Sequence, residues 1–205
     1  MAILYQRKGY AGIDEKNHGS FPEIYVAVFS MNPGFLKQFK GLSKSHNPNP
    51  DISEYLKPDK AFRYIVLTKE QKEAMGYTKA KIMVVAELIR SLSPLEIAAI
   101  DGCIPREPMR MLKWLTGPQR PSEIRSGKKF DKRYPLVNDA HHAAHILYKY
   151  ETDELYARNR DTCREFMITP NLDAYIHLYD EMRKKFPHGI TDINDPTPQK
   201  FLDAA

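Results

Sequence analysis

The chain has 205 residues, 42% of them hydrophobic and 28% charged. That is enough for one core without disulfide or metal staples, and too apolar for wholesale disorder. Lysine and arginine exceed aspartate and glutamate by 31 − 26 = +5, a mild excess that alone says little about a polyanionic partner. Apolar runs stay under ten residues, as at 24–29, too short to span a bilayer. The N-terminal MAILYQRKGY lacks the apolar stretch and small-residue cleavage site of a signal peptide. No membrane, a cytoplasmic location and reduced thiols at Cys103 and Cys163 are therefore expected.

In chain order, 10–14 (YAGID) is a short apolar run ending in an acid and reads as a first strand. Residues 24–30 (IYVAVFS) are apolar, β-branched or aromatic almost throughout, the pattern of a strand buried on both faces. A polar, proline-containing loop is expected over 40–58, then a strand over 61–68 (AFRYIVLT). The period switches over 69–92, where Ala74, Ile82, Val85, Leu88, Ile89 and Leu92 suit one helical face. Thr68 and Gln71 there have the spacing of a capping box. Residues 96–101 (EIAAID) read as a strand stopped by Gly102, 109–115 as a short helix among prolines, and 124–131 as a weak strand. Helices follow over 137–150, 153–164 and 171–186; in the last, Leu172, Tyr175, Ile176, Tyr179 and Met182 fall at amphipathic spacing. This order implies an α/β fold with a five-stranded sheet flanked by helices. It divides into a core over 1–150 and a C-terminal helical extension over 151–205 packed on that core.

Charge is unevenly spread. Between 103 and 134 stand nine basic residues, among them Lys128, Lys129 and Arg133, against three acids, so the segment carries +6. Such a stretch is a solvated loop or a phosphate contact, depending on its neighbours. The neighbours are acids at the ends of elements: Asp14 ends the first strand and Glu15 follows it, and Asp101 ends the fourth. Asp131 follows the last strand candidate, and Asp139 opens the next helix. Singly, such acids are ordinary caps and turn formers. On neighbouring strand ends they would repel unless a cation lay between them, and hard oxygen ligands suit Mg²⁺ or Mn²⁺. Two such ions about 3.5–4 Å apart are the known means of hydrolysing a phosphodiester.

Three motifs resemble a known family in order. Gly12-Ile13-Asp14-Glu15-x-x-x-Gly19 resembles the first motif of type 2 ribonuclease H (the HII/HIII enzymes), an Asp-Glu pair followed by a glycine-rich turn. Ile100-Asp101-Gly102 resembles the second. Lys129-Phe130-Asp131-Lys132-Arg133-Tyr134-Pro135-Leu136-Val137 resembles the third, which leads into an alanine-rich helix. The resemblance runs from about 10 to 150. It implies a ribonuclease H-like fold, an antiparallel trio of strands with parallel additions, and metal-dependent cleavage of RNA in RNA/DNA hybrids. Asp14, Glu15, Asp101 and Asp131 would be the metal ligands. Lys128, Lys129 and Arg133 would meet phosphate, which positions a strand without reading its sequence. No obligate protein partner is implied.

The chain also departs from that family. Asn17-His18-Gly19 stands where the family has Gly-Arg-Gly, the element that reads RNA at its 2′-hydroxyls. Asn138-Asp139-Ala140-His141-His142-Ala143-Ala144-His145 lacks the family's two serines and lysine, and Asp195 falls where a junction-stacking tyrosine belongs. The altered helix is similar to the last motif of RuvC-like nucleases, which share the fold and present Asp or His from a late helix. Asp139 and His142, three apart on one face, would then serve where Asp131 serves in the first scheme. The alternatives to a hybrid-cleaving ribonuclease are thus a RuvC-like nuclease for branched DNA and a non-catalytic nucleic-acid-binding protein.

Overall fold

Five runs rich in β-branched, aromatic and small residues pair into one sheet in the computed structural model, which describes residues 8–16, 21–38, 51–54 and 59–202. The strands are β1 (Gly9–Lys16), β2 (Glu23–Ser30), β3 (Lys60–Leu67), β4 (Leu95–Asp101) and β5 (Glu123–Gly127). Their order across the sheet is β3-β2-β1-β4-β5. The first three strands form an antiparallel meander, and β4 and β5 add in parallel beside β1. The helices are α1 (Lys69–Met75), α2 (Tyr77–Ser91), α3 (Arg106–Thr116), α4 (Pro135–Thr152), α5 (Ala157–Cys163), α6 (Leu172–Lys185) and α7 (Thr197–Leu202). The sheet is mixed and flanked by helices, as expected of a ribonuclease H-like fold. Among the described residues no helix is long and apolar enough to cross a membrane.

Strand alternation divides the core in two. Ala11, Ile13, Tyr25, Ala27 and Ile100 face α2 and α3 in one apolar cluster. Ile24, Val26, Val28, Phe62 and Ala99 face α4 in the other, against Leu136, Val137, Ala140, Ala144 and Leu147. One glycine sets the depth of the second layer. A Cβ on Gly12 would lie 2.2 Å from the backbone carbon of Leu136 and 2.4 Å from the nitrogen of Val137. No side chain fits there, so the first turn of α4 rests directly on β1. Just beyond α4 the chain stays on that face, with Cys163 of α5 in the α4 cluster, and from α6 it crosses to the other, where Tyr175, Leu178 and Ile190 join the α2 cluster.

Several expectations need correction. The helix expected over 69–92 is two helices, broken at Gly76, whose φ of +79° no helix continues through. The break turns Ala74 outward and lets Lys72 of α1 point into the protein, where it is 5% exposed. The capping box of Thr68 and Gln71 is present. The last strand stops at Gly127 rather than running to 131, and Asp131 lies in a 3₁₀ turn, Phe130–Lys132. The helix expected over 153–164 starts as a 3₁₀ turn, Glu154–Tyr156, before α5. In α6 the buried positions include Leu178 rather than Ile176, which is exposed. The short helix α7 is too brief to show a periodic signal in the sequence. Of the loop expected over 40–58, residues 39–50 and 55–58 lie outside the described residues. Both cysteines are free thiols, Cys103 exposed and Cys163 buried.

Candidate active site

The parallel register pairs Ile13 with Ile100, so the next residues, Asp14 and Asp101, lie side by side on neighbouring strands; Asp101 ends β4, whereas β1, expected to end at Asp14, runs on to Lys16. By alternation both turn to the α4 face. Asp14 is only 6% exposed. Its Oδ1 accepts the backbone N–H of Glu15 at 2.7 Å, and its Oδ2 lies 2.8 Å from Nδ1 of His141 on α4. Burial pushes the Asp14 carboxyl above the usual carboxylate range. His141 opposes that shift, and the nearby Asp101 charge adds to it. The two acids therefore feel one another. Among the described residues neither has a lysine or arginine ion-pair partner.

Asp101 organises the turn after β5. Its Oδ1 accepts the backbone N–H of Phe130 at 2.6 Å and of Asp131 at 3.3 Å. Lys129 makes the reversal that aims these donors, with a left-handed φ of 63°. Gly127 is required just before it, because a Cβ there would meet the Phe130 ring at 2.4 Å. Asp131 is buried in this turn, its carbonyl held by Asn138 Nδ2 at 2.9 Å. Lys128, Lys129, Lys132 and Arg133 are exposed around it. The centre of the +6 segment is thus tied by backbone hydrogen bonds to one of the acids.

The remaining expected residues go elsewhere. Glu15 faces α2, where both of its carboxylate oxygens lie 2.7 Å from Lys81 Nζ. Asp139 is bound to Lys60 Nζ at 2.8 Å, with the ammonium 4.4 Å from the centre of the Phe35 ring. Lys60 is level with Ser30 and, through it, Tyr10, four residues down β1 from Asp14. His142 packs edge-on against His141, as does His145. Asn17, His18 and Gly19 lie outside the described residues. The arrangement thus brings together Asp14, Asp101 and the Asp131 turn, and sends Glu15 and Asp139 to lysines. It also reveals two residues missed in the sequence. His141 is one helical turn beyond Val137, which rests on β1, and that spacing was the available signal. Lys81 had none.

Among the described residues no three His, Cys, Asp or Glu side chains are grouped closely enough to ligate one ion. The donor chemistry nonetheless suits Mg²⁺, which keeps several waters and is bound through one or two carboxylates together with substrate phosphate. Two adjacent, mutually repelling carboxylates without a lysine or arginine partner fit that mode.

The sheet order, the meander with parallel additions and the helix across β1 are the ribonuclease H fold. Two solved structures share it over nearly the full chain. Ribonuclease HII of Archaeoglobus fulgidus, solved as a complex with PCNA, superposes with a TM-score of 0.57 at 20% identity, covering 92% of this chain and 91% of that one. Ribonuclease H2 of Pyrococcus horikoshii OT3 gives 0.53 at 13% identity, covering 96% and 98%. At such identities the likeness is one of fold. No protein-family model matches the chain, and no curated protein matches its sequence.

Proposed function

We propose that this protein is a divalent-metal-dependent endonuclease that hydrolyses the RNA strand of RNA/DNA hybrids. The observation that carries the reading is the juxtaposition of Asp14 and Asp101 on adjacent strands, with no lysine or arginine paired to either among the described residues. The fold likeness to ribonucleases HII and H2 and the lysines beside the acids support it. Asp14 and Asp101 would hold Mg²⁺ or Mn²⁺, with Asp131 beside them in the turn. The ion would supply charge stabilisation at phosphorus and an activated water.

The protein's own groups do the rest. Asp101 fixes the turn that presents Lys128, Lys129 and Arg133, whose exposed charges hold the phosphate backbone without reading bases. His141 fixes the rotamer of Asp14 from one side and the Glu15 amide fixes it from the other. Gly12 lets α4 come close enough for His141 to reach. In this reading the nuclease core runs through α4; α5 then packs on the α4 side through Cys163, and the chain from α6 onward braces the core from the α2 side.

A second reading, a RuvC-like nuclease for branched DNA, has one observation in its favour: α4 delivers an imidazole, His141, onto Asp14. The ligands expected for it were Asp139 and His142, and Asp139 is engaged by Lys60. Labelled RNA/DNA hybrid and a four-way DNA junction, each incubated with Mg²⁺ and with Mn²⁺, separate the readings. The first expects cuts in the RNA strand of the hybrid. Cuts confined to the junction favour the second, and no cleavage of either leaves a binding protein.

A further inference from the structure

Glu15 directly follows Asp14, yet its carboxylate is taken by a lysine. Lys81 Nζ stands 2.7 Å from each of its oxygens, with both side chains about five-sixths buried, at 15% and 16% exposure. The ammonium is not a stray surface charge. A methyl group placed on Gly102, the residue after Asp101, would lie 3.5 Å from Lys81 Nζ. The cation therefore sits between the ends of β1 and β4, the two strands that carry the acid pair, but on the opposite face of the sheet. Gly102 has a φ of +85° and donates its N–H to the Gly127 carbonyl, so the strand ends flanking the ammonium are held in place.

We propose that Lys81 is a resident cation that removes Glu15 from the metal centre, so that this protein binds a single divalent ion, at Asp14 and Asp101. The inference rests on the metal-dependent reading above and concerns the ligand set. A carboxylate whose two oxygens both face one ammonium in a half-dry setting has its charge neutralised and its best lone pairs occupied. Turning it toward a metal would leave a largely buried ammonium without that carboxylate. The helix makes the arrangement permanent: Lys81 belongs to the first turns of α2, anchored on either side by the buried Ala80 and Ile82. Lys81 is on this account a positioning residue, acting through Glu15.

The test is the stoichiometry of Mn²⁺ binding, read from the loss of the free-ion electron spin resonance signal at protein concentrations well above the dissociation constant. Wild type is expected to bind one Mn²⁺ per chain and Asp14→Asn to lose it. Lys81→Met removes the ammonium paired with Glu15 and is expected to bind a second ion. The double variant Glu15→Gln/Lys81→Met keeps the local charge unchanged and is expected to bind one ion with affinity within threefold of wild type, which guards against a single variant that fails to fold. Wild type binding two ions overturns the proposal while leaving the nuclease reading intact. So does a tenfold or greater loss in the double variant, since Glu15 would then be a ligand. Wild type binding no Mn²⁺ at millimolar concentration overturns the nuclease reading itself, and this inference with it.

Discussion

Beside β1 and β4 the two faces of the sheet treat their acids in opposite ways, although farther along the α4 face Asp139 is paired with Lys60. On the α1–α2 face, Glu15 is paired with Lys81, and the buried Glu23 with the buried Lys72. Glu23 also takes the hydroxyl of Tyr25, and Lys72 lies over the ring of Tyr77. On the α4 face, the partners of Asp14 and Asp101 among the described residues are an imidazole and backbone N–H groups. The first arrangement balances charge and holds helices to the sheet. The second leaves buried negative charge short of a counterion, which is costly unless something mobile supplies one. The difference assigns structural work to one face and ligand binding to the other, although Asp14 and Glu15 are consecutive.

The comparison can be broken most forcefully at Asp14. Asp14→Asn keeps the shape and removes a ligand charge, so metal-dependent cleavage of a hybrid should fall by several orders of magnitude while nucleic-acid binding persists. The same substitution should raise Tm. Burial favours the protonated form of Asp14 in the folded state, so its contribution to stability is fullest at low pH and is lost as pH rises through the folded-state value. The gain in Tm of Asp14→Asn over wild type should therefore grow from acid to neutral pH, as thermal melts across that range will show. An asparagine variant that melts lower at neutral pH would mean that the acid is compensated after all.

On the opposite face removal of one partner should be harmful. Lys72→Met strands the buried Glu23 charge and should cost about 3–5 kcal/mol in urea unfolding. Glu23→Gln/Lys72→Met together should recover much of that loss. A smaller effect is expected where the faces are joined to their helices. Gly12→Ala forces α4 off β1 and should cost about 1–3 kcal/mol. It should also weaken any Mn²⁺ site, since His141 retreats with the helix. The smallest effect belongs to the basic turn: neutralising Lys128, Lys129 or Arg133 singly should each reduce the salt dependence of hybrid binding by about 0.9 in the log–log slope. A slope unchanged by all three removes that turn from the interface.

Much of this was legible in the sequence because it depends on local pattern. The apolar run at 24–29, the Thr68–Gln71 box and the runs 10–14 and 96–101 mark strands and a helix start, and they place Asp14 beside Asp101 once the first and fourth strands are neighbours, as they are; that the first strand continues past Asp14 to Lys16 depends on its pairing with β2. The illegible part depends on partners distant in the chain. Whether Glu15 points to metal or to Lys81 is decided by α2, 66 residues on. Asp139 is drawn away by Lys60, 79 residues before it. Asp131 has the spacing of a strand-end acid, but the strand ends at Gly127 and the chain reverses at Lys129, whose φ is 63°, into the turn that Asp101 holds. The helix over 69–92 showed one continuous period, and only the positive φ of Gly76 divides it.

The most direct test of the central claim is a crystal structure of the protein soaked in Mn²⁺, with the ions placed by their anomalous signal. The account predicts a peak bridging the carboxylates of Asp14 and Asp101 on the α4 face, with Glu15 still on Lys81. A peak held by Glu15 on the α2 face, or no peak at Asp14 and Asp101 at saturating Mn²⁺, would contradict it.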